Sequence, residues 1–213
     1  MSRQHLIYFA DPMCSWCWGF AAVMNAIVKE WGDNLPIRLV VGGLRPGTTE
    51  PMTEAAKVEL RGHWRHVTEA SGQPFGPSGL DTPGFVYDTD PAARAVVLMR
   101  RAAPDQALAF LETTQRAFYA GGRDVTDPAV LGSLAADFGQ DGVIFGAELR
   151  SENLKQETWR DYAISRGAGV SGFPTLIMGP QADGTYVALA RGFQPAAAVL
   201  PAIAGRMAAQ AAA

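Results

Sequence analysis

The chain has 213 residues, 48% of them apolar and 18% charged, enough for a substantial core and too apolar for a disordered segment. A formal net charge of -3 removes any electrostatic case for nucleic acid or an anionic membrane as partner. The length suits one large domain, or a compact domain carrying an insertion.

The apolar run before Asp11 is too short for the h-region of a signal peptide, and no later stretch is long enough to span a bilayer. The expectation is a cytoplasmic protein. Leu6-Ile7-Tyr8-Phe9 reads as a strand buried on both faces, and Asp11-Pro12 breaks it. Trp16, Phe20, Val23, Met24, Ile27 and Trp31 then recur at helical spacing. Gly32-Asp33-Asn34 ends that helix, and Ile37 to Val41 forms a second strand before Gly42-Gly43.

Helical periodicity follows near 51–71, 90–103, 105–120, 127–139 and 152–166. The Pro/Gly-rich stretch from Gly72 to Asp90 exceeds the usual connection of roughly 4–6 residues. It reads either as a lid or as a surface excursion held by Phe75, Phe85 and Tyr87. Thr175 to Met178 is a β-type run whose hairpin partner is Thr185 to Ala190, with Gly179-Pro180 and Asp183-Gly184 in the turn. A last helix starts near Pro195, Pro201 should kink or restart it, and the terminal alanines should fray. This order predicts an α/β protein, a thioredoxin fold with an inserted all-helical domain. The thioredoxin-like part would comprise 1–45 and 150–213, and the insert 46–149.

The chain has two cysteines, Cys14 and Cys17, at the first strand-to-helix junction. A bridge across two residues closes almost no loop, so a stabilising disulfide is not their purpose. A zinc site would need a second ligand pair, and none stands at suitable spacing. Two core cysteines would explain neither the helix-start position nor Pro12. At a helix start, free backbone N–H groups and the positive helix end favour the Cys14 thiolate. Cys17, one turn on, is within reach but more buried, and suits attack on a mixed disulfide. Val170-Ser171-Gly172-Phe173-Pro174-Thr175 adds a proline at the entry to the third strand, a position an ordinary trans proline also takes.

Asp11-Pro12-Met13-Cys14-Ser15-Trp16-Cys17-Trp18-Gly19-Phe20, with Gly169 to Thr175 far downstream, resembles the DsbA family in its FrnE-like branch. Tyr87 to Ala95, Ala117-Phe118-Tyr119 and Asp124 to Asp127 extend the resemblance into the insert. It implies a nucleophilic Cys14, a resolving Cys17 and a cis Pro174 lying against them. The backbone of Phe173 would pair with an incoming peptide, as a short strand addition. Trp16, beside the thiols, joins Phe173 and Pro174 as an expected substrate contact. The implied partners are protein or peptide thiols and disulfides. No tightly bound cofactor is implied beyond the Cys14–Cys17 disulfide itself, with glutathione as a candidate redox partner. Ser15-Trp16 between the cysteines departs from periplasmic DsbA and leaves oxidant, reductant and isomerase open.

Other residues receive plainer readings. Glu59, His63 and His66 could be sketched as a metal site, but a solvated helix face accounts for them better, so no metal is expected. Asp11 could relay a proton near Cys17; a carboxylate capping the helix is the simpler account. Trp16, Trp18 and Phe20 could line an apolar rim for unfolded peptide. Two competing functions stand beside disulfide exchange. One is a glutathione-dependent isomerase or transferase of the kappa-class or hydroxychromene-carboxylate isomerase type, in which serine usually replaces the leading cysteine. The other is a chaperone-like binding module.

Overall fold

A computed structural model of the protein describes residues 4–181 and 183–211. The last two alanines of the tail expected to fray lie outside the described residues. Strand β1 (His5–Ala10) leads through α1 (Ser15–Trp31) to β2 (Ile37–Val41). Six helices follow: α2 (Glu54–Ser71), α3 (Asp90–Ala102), α4 (Ala107–Tyr119), α5 (Pro128–Ala136), α6 (Gly142–Glu148) and α7 (Glu152–Gly167). The chain closes with the hairpin β3 (Thr175–Gly179) and β4 (Val187–Arg191), then α8 (Ala196–Ala211).

The sheet order is β2-β1-β3-β4. β1 runs parallel to β2, with Tyr8 opposite Leu39, and antiparallel to β3, with Phe9 opposite Thr175. Its side chains face a dry interior on both sides: Leu6, Tyr8, Phe9 and Ala10 are all buried. Helices α2, α4 and α8 pack on α1, while α3 and α7 pack on β2. One continuous apolar cluster runs from Leu6 and Val41 through Val96, Phe110 and Phe118 to Leu154. The inserted helices therefore bury their apolar faces against the strand-and-helix frame as well as against each other.

Helix boundaries follow local chemistry. Thr53 accepts from the Ala56 N–H at the start of α2, and Gly72 ends that helix at φ 73°. Asp127 and Ser151 cap α5 and α7 in the same way. Helix α6 carries no readable periodicity because it is only seven residues long. It starts where Asp141 accepts from the Val143 and Ile144 N–H groups. Gly132 and Gly142 let α5 and α6 touch backbone to backbone: a Cβ on Gly132 would stand 2.2 Å from the Gly142 carbonyl oxygen.

Two expectations need correction. Thr185 belongs to the turn rather than to the second hairpin strand, because its N–H and hydroxyl both bind the Asp183 carboxylate. Pro201 does not restart α8, which runs through it. Pro201 offers no N–H to the Ala197 carbonyl one turn back, and Ala197 lies on the exposed face of the helix.

The outer edge of β2 is closed by a side-chain pair. Arg100 of α3 donates to the Leu39 carbonyl at 2.6 Å, and Asp161 of α7 accepts from the Val41 N–H at 2.9 Å. The two side chains meet through bonds of 2.6 and 3.2 Å. They satisfy the edge groups that an unpaired strand would offer to another chain. Asp161→Ala should lower the unfolding free energy by about 3 kcal/mol, the low end for orphaning one member of a buried pair. The low end applies because 25% of the Arg100 side chain stays in contact with solvent. Urea denaturation measures this, and a loss below about 0.5 kcal/mol would show that the pair closes nothing.

Candidate active site

The site lies where β1 ends. Both oxygens of the buried Asp11 carboxylate are engaged: one accepts from the Met13 N–H at 2.9 Å, the other from the Leu44 N–H at 2.8 Å. The Thr89 hydroxyl joins them. Asp11 thus ties the β1–α1 turn to the loop after β2. It does not cap α1, as its sequence position suggested. The N-cap of α1 is Cys14, three residues further on, with no side chain capping it.

No acidic residue occupies the first turn of α1, so nothing there opposes negative charge on the capping sulfur. Cys14 keeps 7% of its surface exposed, and Cys17 keeps none. The two are unbridged. The Cys14 Sγ sits 3.5 Å from the Phe173 carbonyl oxygen, and the Phe173–Pro174 peptide bond is cis. Burial, first, and the adjoining Cys14 sulfur, second, push the Cys17 thiol up. The Asp11 N–H, directed at the same sulfur, works the other way.

Phe173 has two faces to its role. Its ring lies over Gly42, where a Cβ would meet Cζ at 2.1 Å, so a glycine is required there. Its carbonyl faces Cys14. Pro174 is buried, and its own carbonyl accepts from the Gly192 N–H, locking the loop to the end of β4. Trp16 is half-buried between the rings of His63 and Phe193, at 5.7 and 5.8 Å. Trp18 and Phe20 are not part of a rim. Both are fully buried, Trp18 donating to the Pro74 carbonyl under the Arg116 guanidinium.

Cys14, Trp16 and Phe173 open onto a cleft of about 490 Å³. Arg45 and Glu59 bring charge to its walls, and His63 brings an imidazole ring. Two other surface openings, of about 510 and 560 Å³, contain no nucleophilic thiol. Glu59 and His63 line the cleft without His66, and among the described residues no group of three His, Cys, Asp or Glu side chains could hold a metal ion. The stretch from Gly72 to Asp90 is a packed excursion: Phe85 and Tyr87 stack on Phe118. Tyr87 is a site residue that sequence reading missed. Its hydroxyl donates to the Met13 carbonyl, and the Arg45 guanidinium lies 5.1 Å over its ring. No sequence spacing links residue 87 to residue 13.

Comparison with known proteins follows the geometry. Residues 5–195 match the family model described as the DSBA-like thioredoxin domain. A Nitrosomonas europaea protein named as a candidate protein disulfide isomerase superposes with a TM-score of 0.85 at 34% identity, covering 96% of this chain and 97% of that one. The cytosolic disulfide reductase DsbM of Pseudomonas aeruginosa gives 0.72 at 28% identity, covering 87% and 89%, and has also been solved with glutathione. The ClpXP adapter protein SpxH of Halalkalibacterium halodurans is 25% identical over 175 residues; the match takes in 79% of this chain and 56% of that relative's length. No described helix is long and apolar enough to cross a membrane. With nine-tenths of its length under one family model, the chain belongs to the DSBA-like thioredoxin domain family.

Proposed function

We propose that the chain is a thiol–disulfide oxidoreductase acting on protein and peptide disulfides, with Cys14 as nucleophile and Cys17 as resolving thiol. The observation that carries this is the asymmetry of the pair. Cys14 caps a helix at the cleft, against the Phe173 carbonyl, and Cys17 lies sealed one turn behind it. The Cys14 thiolate attacks a substrate disulfide, forming a mixed disulfide and releasing one substrate thiolate. Cys17 then attacks Cys14 Sγ, forming the Cys14–Cys17 disulfide and releasing the second. The substrate is reduced by two electrons and the protein oxidised by two. Trp16 and the Phe173–Pro174 backbone flank the point of attack and would hold the substrate chain beside it.

The reductive direction in the cytoplasm is favoured by the DsbM likeness, since that protein is named a cytosolic disulfide reductase. Glutathione is the proposed electron donor. DsbM has been solved with it, and Arg45 and Glu59 supply opposite charges for its carboxylates and ammonium. The division into a thioredoxin-like part (1–45 and 150–213) and a helical part (46–149) is retained as a working description of substrate-facing frame and wall. A glutathione-dependent isomerase or transferase is the second reading, which the presence of Cys17 beside Cys14 disfavours.

Asp11 conditions this chemistry. Burial raises its carboxyl from 3.8 to about 6, against the lowering effect of the Leu44 and Met13 N–H groups. A raised folded-state value means the folded protein binds the proton more tightly than the unfolded chain. Stability from this group is therefore greatest below about pH 4 and declines as pH rises toward 6, by about 3 kcal/mol at most. Asp11→Asn should remove that slope: the unfolding free energy of wild type minus variant should fall between pH 4 and pH 6.5. A difference independent of pH would show that Asp11 is not buried as a carboxylate.

Cys14→Ser should abolish turbidimetric insulin reduction, whereas Cys17→Ser should accumulate a mixed disulfide with substrate, visible by intact-protein mass spectrometry. Equal insulin reduction by wild type and Cys14→Ser would refute the assigned nucleophile. Titration of the pair against glutathione should give a potential near about -270 mV, in the range of reductases; a value near about -120 mV would make the protein an oxidant.

A further inference from the structure

The cleft beside Cys14 has a polarity of its own. Met13, Leu44, Met52 and Leu60 give it an apolar lining, and two charged side chains interrupt that lining: Arg45, in the loop after β2, and Glu59, on α2. Among the described residues neither belongs to an ion pair. The other titratable side chains on the wall are His63, Tyr87 and Cys14 itself.

Arg45 is held from both ends. Its backbone N–H donates to the Thr89 hydroxyl at 3.0 Å. Its carbonyl accepts from the Thr89 N–H at 3.3 Å and from the Thr48 hydroxyl at 3.1 Å. Its guanidinium lies 5.1 Å over the Tyr87 ring. That ring is itself fixed: Phe118 stacks on it at 5.9 Å, and its hydroxyl donates to the carbonyl of Met13, the neighbour of Cys14. Among the described residues the guanidinium has no hydrogen-bond acceptor, so its N–H donors remain available. A guanidinium ordered in advance in this way loses little entropy when it takes a carboxylate through two parallel bonds.

We propose that Arg45 is the specificity-determining residue of this cleft. It takes a carboxylate that the substrate carries next to the sulfur under attack, and so selects acidic disulfides over basic ones. Tyr87 is the residue that positions it. The inference rests on the disulfide-exchange reading above. A cleft of about 490 Å³ holds a few side chains rather than a folded surface, so a residue adjoining the reacting cysteine shares it with Arg45. The carboxylate can belong to an acidic side chain of a protein or to glutathione. In either case it acts on capture of the substrate, and no bond beyond those of the exchange is made or broken.

The test follows the reduction, by the reduced protein, of blocked peptide disulfides that differ only in the residue beside cysteine: glutamate, glutamine or lysine. Acid-quenched samples are resolved by chromatography. The quantity read is the glutamate-to-lysine ratio of second-order rate constants, from which a general loss of activity cancels. Arg45→Gln should lower this ratio by roughly tenfold, since an exposed charge pair changes each of the two rates by up to about fivefold. Arg45→Glu should lower it further. In about 1 M salt, where the Debye length is about 3 Å, the wild-type ratio should fall towards that of Arg45→Gln. A second arm compares oxidised glutathione with its glycine methyl diester. Discrimination lost among the peptides in Arg45→Gln assigns the residue to acidic protein segments; discrimination lost between glutathione and its ester assigns it to glutathione. Unchanged ratios in both arms would overturn the inference. Failure of the wild type to exchange thiols with every one of these disulfides would instead overturn the disulfide-exchange reading beneath it.

Discussion

Antiparallel pairing of β1 with β3, in the register that sets Phe9 opposite Thr175, is the constraint on which the site depends. The chain leaves Phe9 towards Cys14 and arrives at Thr175 from Phe173, so this register brings the thiol and the carbonyl together across 159 residues. A shift by one residue would turn every side chain of β1 to the opposite face. It would carry Leu6 and Tyr8 away from α1 along with the loops. On its other edge β1 pairs with β2, whose following loop supplies the Leu44 N–H to Asp11. The central strand is therefore flanked by the two elements whose loops complete the cleft.

The same packing gives two chemically similar sulfurs different surroundings. Cys14 occupies the helix start at the cleft, where free N–H groups and the adjoining loops meet. Cys17 sits in the core, where desolvation disfavours its charged form. The difference in exposure is small in area, 7% against none, but it decides which sulfur a substrate can reach. On the proposed reading the pair acts in order, outer thiol first.

The inserted helices are part of this arrangement. Helix α2 supplies Glu59 and His63 to the cleft wall, with His63 edge-on to Trp16. The excursion after α2 brings Tyr87 to the Met13 carbonyl, directly beside Cys14. Helix α3 joins α7, which follows the insert, in closing the β2 edge through Arg100 and Asp161. Helix α4 forms the far wall of a small cavity below Tyr8. Helices α2, α3, α4 and α7 pack on the frame and α5 on α3 and α4, so the length of chain between β2 and β3 walls the cleft and shields the sheet.

Much of this was legible locally. The strand–helix–strand opening, the cysteine spacing at its first junction, and the proline at the third strand all lie within short windows where period and turn chemistry are strong. Helix α6 escaped because seven residues hold too few turns to show a period. Asp11 was visible as a loop carboxylate, but its sequence neighbours suggested a cap, whereas in the fold it is buried and its second bond goes to Leu44. Residue order by itself determined the elements, their sequence along the chain and the cysteine pair at the first junction, because each of these depends on neighbours a few positions apart. Tertiary structure alone decided that Gly42 must yield to the Phe173 ring, that Tyr87 braces Met13, and that Tyr8 and Gln115 share a cavity between α1 and α4. Those contacts join residues separated by tens to more than a hundred positions, and no periodicity or spacing encodes a meeting that only the packed sheet and helices bring about.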